Sequence, residues 1–138
     1  MTVSKRNVVI ILGIVALLSV AAAMYTANRI KDKEAYGDVS IQEARQLIEN
    51  KKKLTIVDVR TISEYDEGHI ENAINIPVQE LSDRLDELNK NDELLIYCRT
   101  GNRSSTAVDI LSDGGFNKMF HMNEGISKWI QKGYPIVQ

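Results

Sequence analysis

The chain has 138 residues, with 17 basic and 19 acidic side chains and a formal charge of −2. That bounds it to one compact domain with an appendage, and the scattered basic residues exclude a nucleic-acid binder. Its single cysteine, Cys98, rules out an internal disulfide. His69 and His121 lie far apart without ligand partners at close spacing, so neither a structural zinc site nor any other metal is expected, and no cofactor is implied.

Residues 1–7 form a short N-terminus with Lys5 and Arg6. Residues 8–27, "VVIILGIVALLSVAAAMYTA", carry no charge. At about 1.5 Å per residue such a helix is about 30 Å long, the thickness of a bilayer's hydrocarbon core. The rest of the chain is too small to wrap a helix that is apolar all round. Two readings stand: a single-pass transmembrane anchor, or a signal peptide cleaved near the alanines at 21–23. The apolar run continues past those alanines, which favours the anchor. Lys5 and Arg6 on one side are nearly balanced by Arg29, Lys31 and Lys33 on the other, so the positive-inside rule discriminates weakly. The short basic start favours a soluble domain on the extracytoplasmic side. Residues 28–37 read as a charged linker and 38–138 as the soluble domain.

Within that domain, Ser40 followed by Glu43 is a capping-box signature, and Ile41, Ala44, Leu47 and Ile48 mark one helical face. Lysines 51–53 read as a solvated loop. "LTIVDVR", 54–60, is β-branched and apolar on both alternations, as in a strand buried on both faces. A short helix is predicted over 62–67, a short strand over 73–77, and a helix over 78–89 from the spacing of Val78, Leu81, Leu85 and Leu88. "ELLIYC", 93–98, is a second apolar strand. Residues 104–112 read as a helix closed by Gly114 and Gly115, 118–122 as a last strand, and 124–132 as a last helix carrying Trp129. Strands alternate with helices, which predicts an α/β domain around a mostly parallel sheet.

Open parallel sheets bind ligands beyond the carboxyl ends of their strands, and Cys98 lies at such an end. An inert core cysteine would continue the apolar strand. Here the chain turns polar and cationic at once, in "CRTGNR". Gly101 is free to take a positive φ, so the loop amides can turn inward as an anion cradle. The next helix presents its positive end, and Arg99 and Arg103 add charge. Each feature favours thiolate over thiol.

This loop resembles the active-site loop of single-domain rhodaneses: a cysteine, four intervening residues and an arginine. "DVRTISEYDEGHIENAINIP", 58–77, is similar to that family's upstream signature and "NEGISKWIQKGYP", 123–135, to its closing one. Asn72 and Glu124 stand where the family commonly has glycine. The resemblance implies a three-layer α/β fold and sulfur transfer. Cys98 would attack the outer sulfur of an anionic donor such as thiosulfate, carry it as a persulfide, and yield it to a thiol or protein acceptor not identified by the sequence. The amides from Arg99 through Thr100, Gly101, Asn102 and Arg103 to Ser104 would cradle the persulfide. Arg99 and Arg103 would attract the donor, with Arg103 also bracing the loop, and Asp58 and Arg60 would support it. Arg60 with Glu64 as a local ion pair is an equal reading. Phosphatases and arsenate reductases of this fold use a longer loop, which points here to sulfur rather than a tetrahedral oxyanion. A persulfide carrier or sensor with little turnover is the alternative. No histidine is placed as a base: His69 reads as a turn residue, and His121 has no motif partner.

Overall fold

A computed structural model describes residues 13–22 and 36–138. Two compact units result, divided between Ala35 and Tyr36. The described part of the first is the helix 13–22, whose Ile14, Val15, Leu17, Leu18 and Val20 are all exposed. Among the described residues no helix is long and apolar enough to cross a membrane. The rest of the predicted span 8–27 lies outside the described residues.

The second unit is a five-stranded parallel sheet in the order β1-β5-β4-β2-β3. Its strands are β1 (Gly37–Val39), β2 (Leu54–Asp58), β3 (Ile74–Asn75), β4 (Glu93–Tyr97) and β5 (Met119–Met122). The helices are α1 (Ile41–Asn50), α2 (Ile62–Glu67), α3 (Asn102–Asp113) and α4 (Gly125–Gln131). Helix α1 begins with the expected capping box, Ser40 with Glu43, and α2 begins with a second one, Thr61 with Glu64. In each, the side chain at the cap and the carboxylate three residues on satisfy amides that the first turn leaves unpaired.

The strands are apolar on both alternations because helices cover both faces. On one face Ile56, Leu95, Tyr97, Phe120 and Met122 pack with Ile41, Ala44 and Leu47 of α1 and Ile126 and Trp129 of α4. On the other, Val57, Leu94, Ile96, Cys98 and Met119 pack with Ala107 and Leu111 of α3 and with Leu81 and Leu88. Side chains alternate along a strand, so Cys98, two residues beyond Ile96, faces α3.

Three expectations change. The helix over 78–89 is instead two short 3-10 turns, Leu81–Asp83 and Leu85–Glu87. The Val78 amide still donates to Val59 O at 3.1 Å, which holds the segment against the sheet just after Pro77. Leu81 and Leu88 are buried all the same, so the apolar spacing reported burial rather than helix type. The predicted linker ends a residue early, because Gly37 begins β1, whose Gly37, Asp38 and Val39 pair with Phe120, His121 and Met122. Finally, α3 starts at Asn102, two residues before the predicted Ser104, so Asn102 and Arg103 belong to its first turn rather than to the loop.

Candidate active site

Strand β4 ends at Tyr97 and the chain reverses through Cys98–Gly101 into α3. Gly101 sits at φ 103° at the cap position, where a Cβ would collide with the backbone carbonyl of Asn123. Only glycine satisfies both the left-handed conformation and that close approach. The turn brings the Gly101 amide to 3.1 Å from Cys98 Sγ, and the Ser104 hydroxyl to 3.3 Å. The amides of Thr100 and Ser104 also donate toward the sulfur. Cys98 is only 1 % exposed. Burial pushes the thiol up, but the Ser104 hydroxyl and these amides outweigh it and leave the thiol pKa below its ordinary value. The positive end of α3 acts in the same sense.

The closing segment clamps the loop from behind. The amides of Ile126 and Ser127 donate to the carbonyls of Cys98 and Arg99 at 2.9 and 3.1 Å. Such closeness requires Gly125, at φ 69°, since a Cβ there would collide with Arg99 O. Glu124, at the unusual position before it, caps α4 and accepts from the Ile41 amide at 3.3 Å. Asn72, the other departure, adopts φ 63°, a left-handed conformation that asparagine tolerates better than most side chains.

The charged residues divide into different tasks. Arg103 forms a two-pronged ion pair with Glu64, at 2.6 and 2.8 Å, tying the first turn of α3 to α2. The Arg103 guanidinium holds the Glu64 carboxyl down to about 2. Arg60 pairs with Asp58, not Glu64: Nη2 lies 2.6 Å from Asp58 Oδ2 and also donates to Gly68 O at 2.7 Å. Both partners are buried. This pair fixes the end of β2 and the turn after α2, and the guanidinium lies 5.8 Å from the centre of the Tyr97 ring. Arg99 is exposed and makes no ion pair with any described residue. Together with Arg60, Glu64, Ser127, Ile130 and Ile136 it lines a cavity of about 250 Å³ beside the loop. Asn102 is exposed at the start of α3, and Thr100 is exposed on the loop.

His69 stacks on Tyr65 at 3.6 Å and its Nδ1 lies 2.9 Å from Tyr65 O, the turn role expected of it. His121 is placed differently from the expectation. Its Nε2 lies 2.8 Å from Ser104 Oγ and its Nδ1 2.7 Å from Asp38 Oδ1, so it joins the site from β5. Neither residue belongs to the loop. The available signal was parity: His121 shares the face of Met119 along β5, which is the face of Cys98.

A parallel α/β sheet with a thiolate-stabilising loop at the carboxyl end of its central strand defines a class of cysteine-dependent group-transfer domains. The model of the Rhodanese-like domain matches residues 40–132, and the chain belongs to that family. It is 30 % identical over 100 residues to a protein of Allochromatium vinosum named sulfurtransferase, covering 72 % of this chain and 94 % of that one. It is 36 % identical over 95 residues to YrkF of Bacillus subtilis, named as a sulfur carrier, covering 69 % of this chain but only 51 % of that relative. Among solved structures, a rhodanese-related protein of Thermoplasma volcanium superposes with a TM-score of 0.67 at 35 % identity, covering 74 % of this chain and 98 % of the other. A human single-domain sulfurtransferase superposes with a TM-score of 0.64 at 27 % identity, covering 69 % and 96 %. These homologues support sulfur transfer as the general chemistry of the site.

Proposed function

We propose that this protein moves sulfane sulfur from a small anionic donor of the thiosulfate type to a thiol or protein acceptor, through a persulfide on Cys98. The observation that carries the reading is the set of donors aimed at one sulfur: the Gly101 amide at 3.1 Å and the Ser104 hydroxyl at 3.3 Å, on a loop with four residues between Cys98 and Arg103. A persulfide anion needs donors of this kind, preorganised and shielded from water.

Cys98 thiolate attacks the outer sulfur of the donor. The new S–S bond forms as the donor's own S–S bond breaks, and sulfite leaves with that bond's electron pair. An acceptor thiolate then attacks the outer sulfur of the persulfide, and Cys98 departs as thiolate. No oxidant is consumed. Arg99, exposed at the cavity beside the loop, is the cation placed to attract the donor. Arg103 is held by Glu64 and braces the loop. Asp58 and Arg60 support it one strand away. The recessed thiol suits a small donor.

Incubation with thiosulfate and mass spectrometry of the full chain will add one sulfur at Cys98. Cys98→Ser will abolish both the adduct and sulfur transfer while the melting temperature stays near wild type. Full transfer activity in that variant rejects the assignment. The name of the Bacillus subtilis relative favours a second reading, a carrier that is loaded once and turns over little. A single burst with a stable persulfide and no steady state for any acceptor would select it.

The apolar run 8–27 supports single-pass membrane attachment, with the catalytic domain on the extracytoplasmic side, and signal cleavage with export is its competitor.

A further inference from the structure

A chain of short contacts leads from the reactive sulfur along one face of the sheet to the surface at its β1 edge. Ser104 Oγ lies 3.3 Å from Cys98 Sγ and 2.8 Å from His121 Nε2, and His121 Nδ1 lies 2.7 Å from Asp38 Oδ1. The register explains the alignment. Asp38 and His121 are direct partners across β1 and β5, and His121 is the partner of Ile96, two residues before Cys98, across β5 and β4. Ser104 and His121 are buried, whereas the Asp38 side chain is 67 % exposed. Asn123 Nδ2 donates to the second Asp38 oxygen at 3.3 Å.

A serine hydroxyl has one proton and three neighbours here, the third being Gly101 O at 3.0 Å. With Nδ1–H donated to the Asp38 carboxylate, neutral His121 offers Nε2 as an acceptor, and the Ser104 O–H points away from sulfur. With His121 protonated, Nε2–H donates to Ser104 Oγ and frees the Ser104 O–H to donate to a Cys98 thiolate. The charge on His121 and the charge on Cys98 are therefore coupled through one hydroxyl.

We propose that His121 and Asp38 are positioning residues that act through Ser104 to take up the Cys98 thiol proton and hold the nucleophile as a thiolate. The inference rests on the reading of Cys98 as the nucleophile. The proton on Sγ passes to Ser104 Oγ as the Ser104 proton passes to His121 Nε2. No other bond changes and no electron is gained or lost. The carboxylate of Asp38 balances the imidazolium, and its exposure gives the relay an exit to solvent away from the loop. The titratable groups facing His121 among the described residues are Asp38 from β1 and, through Ser104 of α3, Cys98 at the end of β4. Arg103, next along α3, is engaged by Glu64.

The test is the pH dependence of Cys98 alkylation by iodoacetamide in the full chain. It needs no sulfur donor, so its failure is separable from failure of sulfur transfer, which the persulfide mass reads. His121→Asn will move the midpoint up by about one pH unit, slowing alkylation about tenfold below the wild-type midpoint and leaving the high-pH limiting rate unchanged. Asp38→Asn, at an exposed side chain, will shift the midpoint the same way by less, and it carries the test even if His121→Asn folds poorly. In a Ser104→Ala background, His121→Asn will add nothing, because the link is already broken. Wild-type midpoints in both Asp38→Asn and His121→Asn, or a full additional shift from His121→Asn on top of Ser104→Ala, would overturn the relay.

Discussion

The Cys98 sulfur is buried yet biased toward its charged form, and single hydrogen bonds decide that balance. Burial alone would raise its pKa; the Ser104 hydroxyl and the loop amides reverse the sign. Wild-type Cys98 is therefore expected to alkylate with a midpoint below the ordinary thiol value of about 8.5. A midpoint at or above that value would show that the loop donors do not reach the sulfur. The Glu64–Arg103 pair carries a separate pH signature. The Glu64 pKa is about 2 against an ordinary value of 4.5. A carboxylate depressed in the folded state contributes its stability above its unfolded pKa, and loses it as pH falls through the folded one. Glu64→Gln should cost about 1 kcal/mol at neutral pH, discounted because both side chains remain partly in solvent. The difference in melting temperature from wild type should shrink between pH 4.5 and about 2. A difference that persists at the acid end would assign the effect to packing. The cysteine and its arginines were legible in the sequence. The partner of Arg103 was not, since Glu64 lies 39 positions away and on another helix.

At the level of elements, the loop is shaped less by its own residues than by the turn that opens α4. Two carbonyls of the loop accept amides from Ile126 and Ser127, and Gly125 passes against Arg99 O with no room for a Cβ. Gly125→Ala should destabilise the domain by about 2–4 kcal/mol, from a side chain at positive φ and a backbone collision. It should also lower sulfur transfer more than Ser40→Ala, which removes only the cap of α1 at a cost of about 1 kcal/mol. Denaturant melts and transfer rates on both variants check this, and equal activity loss would show that the α4 turn does not set the loop. The capping box of α1 was visible as a serine and glutamate three apart because it is local. The short 3-10 turns after Pro77 were not. Leucines spaced by three and four residues suit either helix type once both bury the same side chains; here the amides of Arg84 and Leu88 bond three residues back, to Leu81 and Leu85.

For the whole molecule, the division between Ala35 and Tyr36 places every residue of the site in the second unit. A chain beginning at Tyr36 should fold and accept sulfur on Cys98 like the full chain. If residues 8–27 anchor the protein, only the full chain should sediment with lipid vesicles through an alkaline wash. Equal sedimentation of both would remove the anchor, and loss of structure in the shorter chain would show that the second unit needs the first.

Local patterns were sufficient for the α/β class, the buried parallel strands, the position of Cys98 at a strand end, and the four-residue interval to Arg103. These follow from periodicity, side-chain chemistry and short-range geometry. The tertiary structure alone placed Asp38 beside His121, His121 beside Ser104, and Glu64 against Arg103. Those contacts join positions 83, 17 and 39 residues apart. Parallel strand register and helix packing bring them together, and neither is encoded in any short stretch of chain. The sequence determined that a cysteine would stand at the end of β4; the order of strands around it decided that Ser104, His121 and Asp38 lie in line with its sulfur.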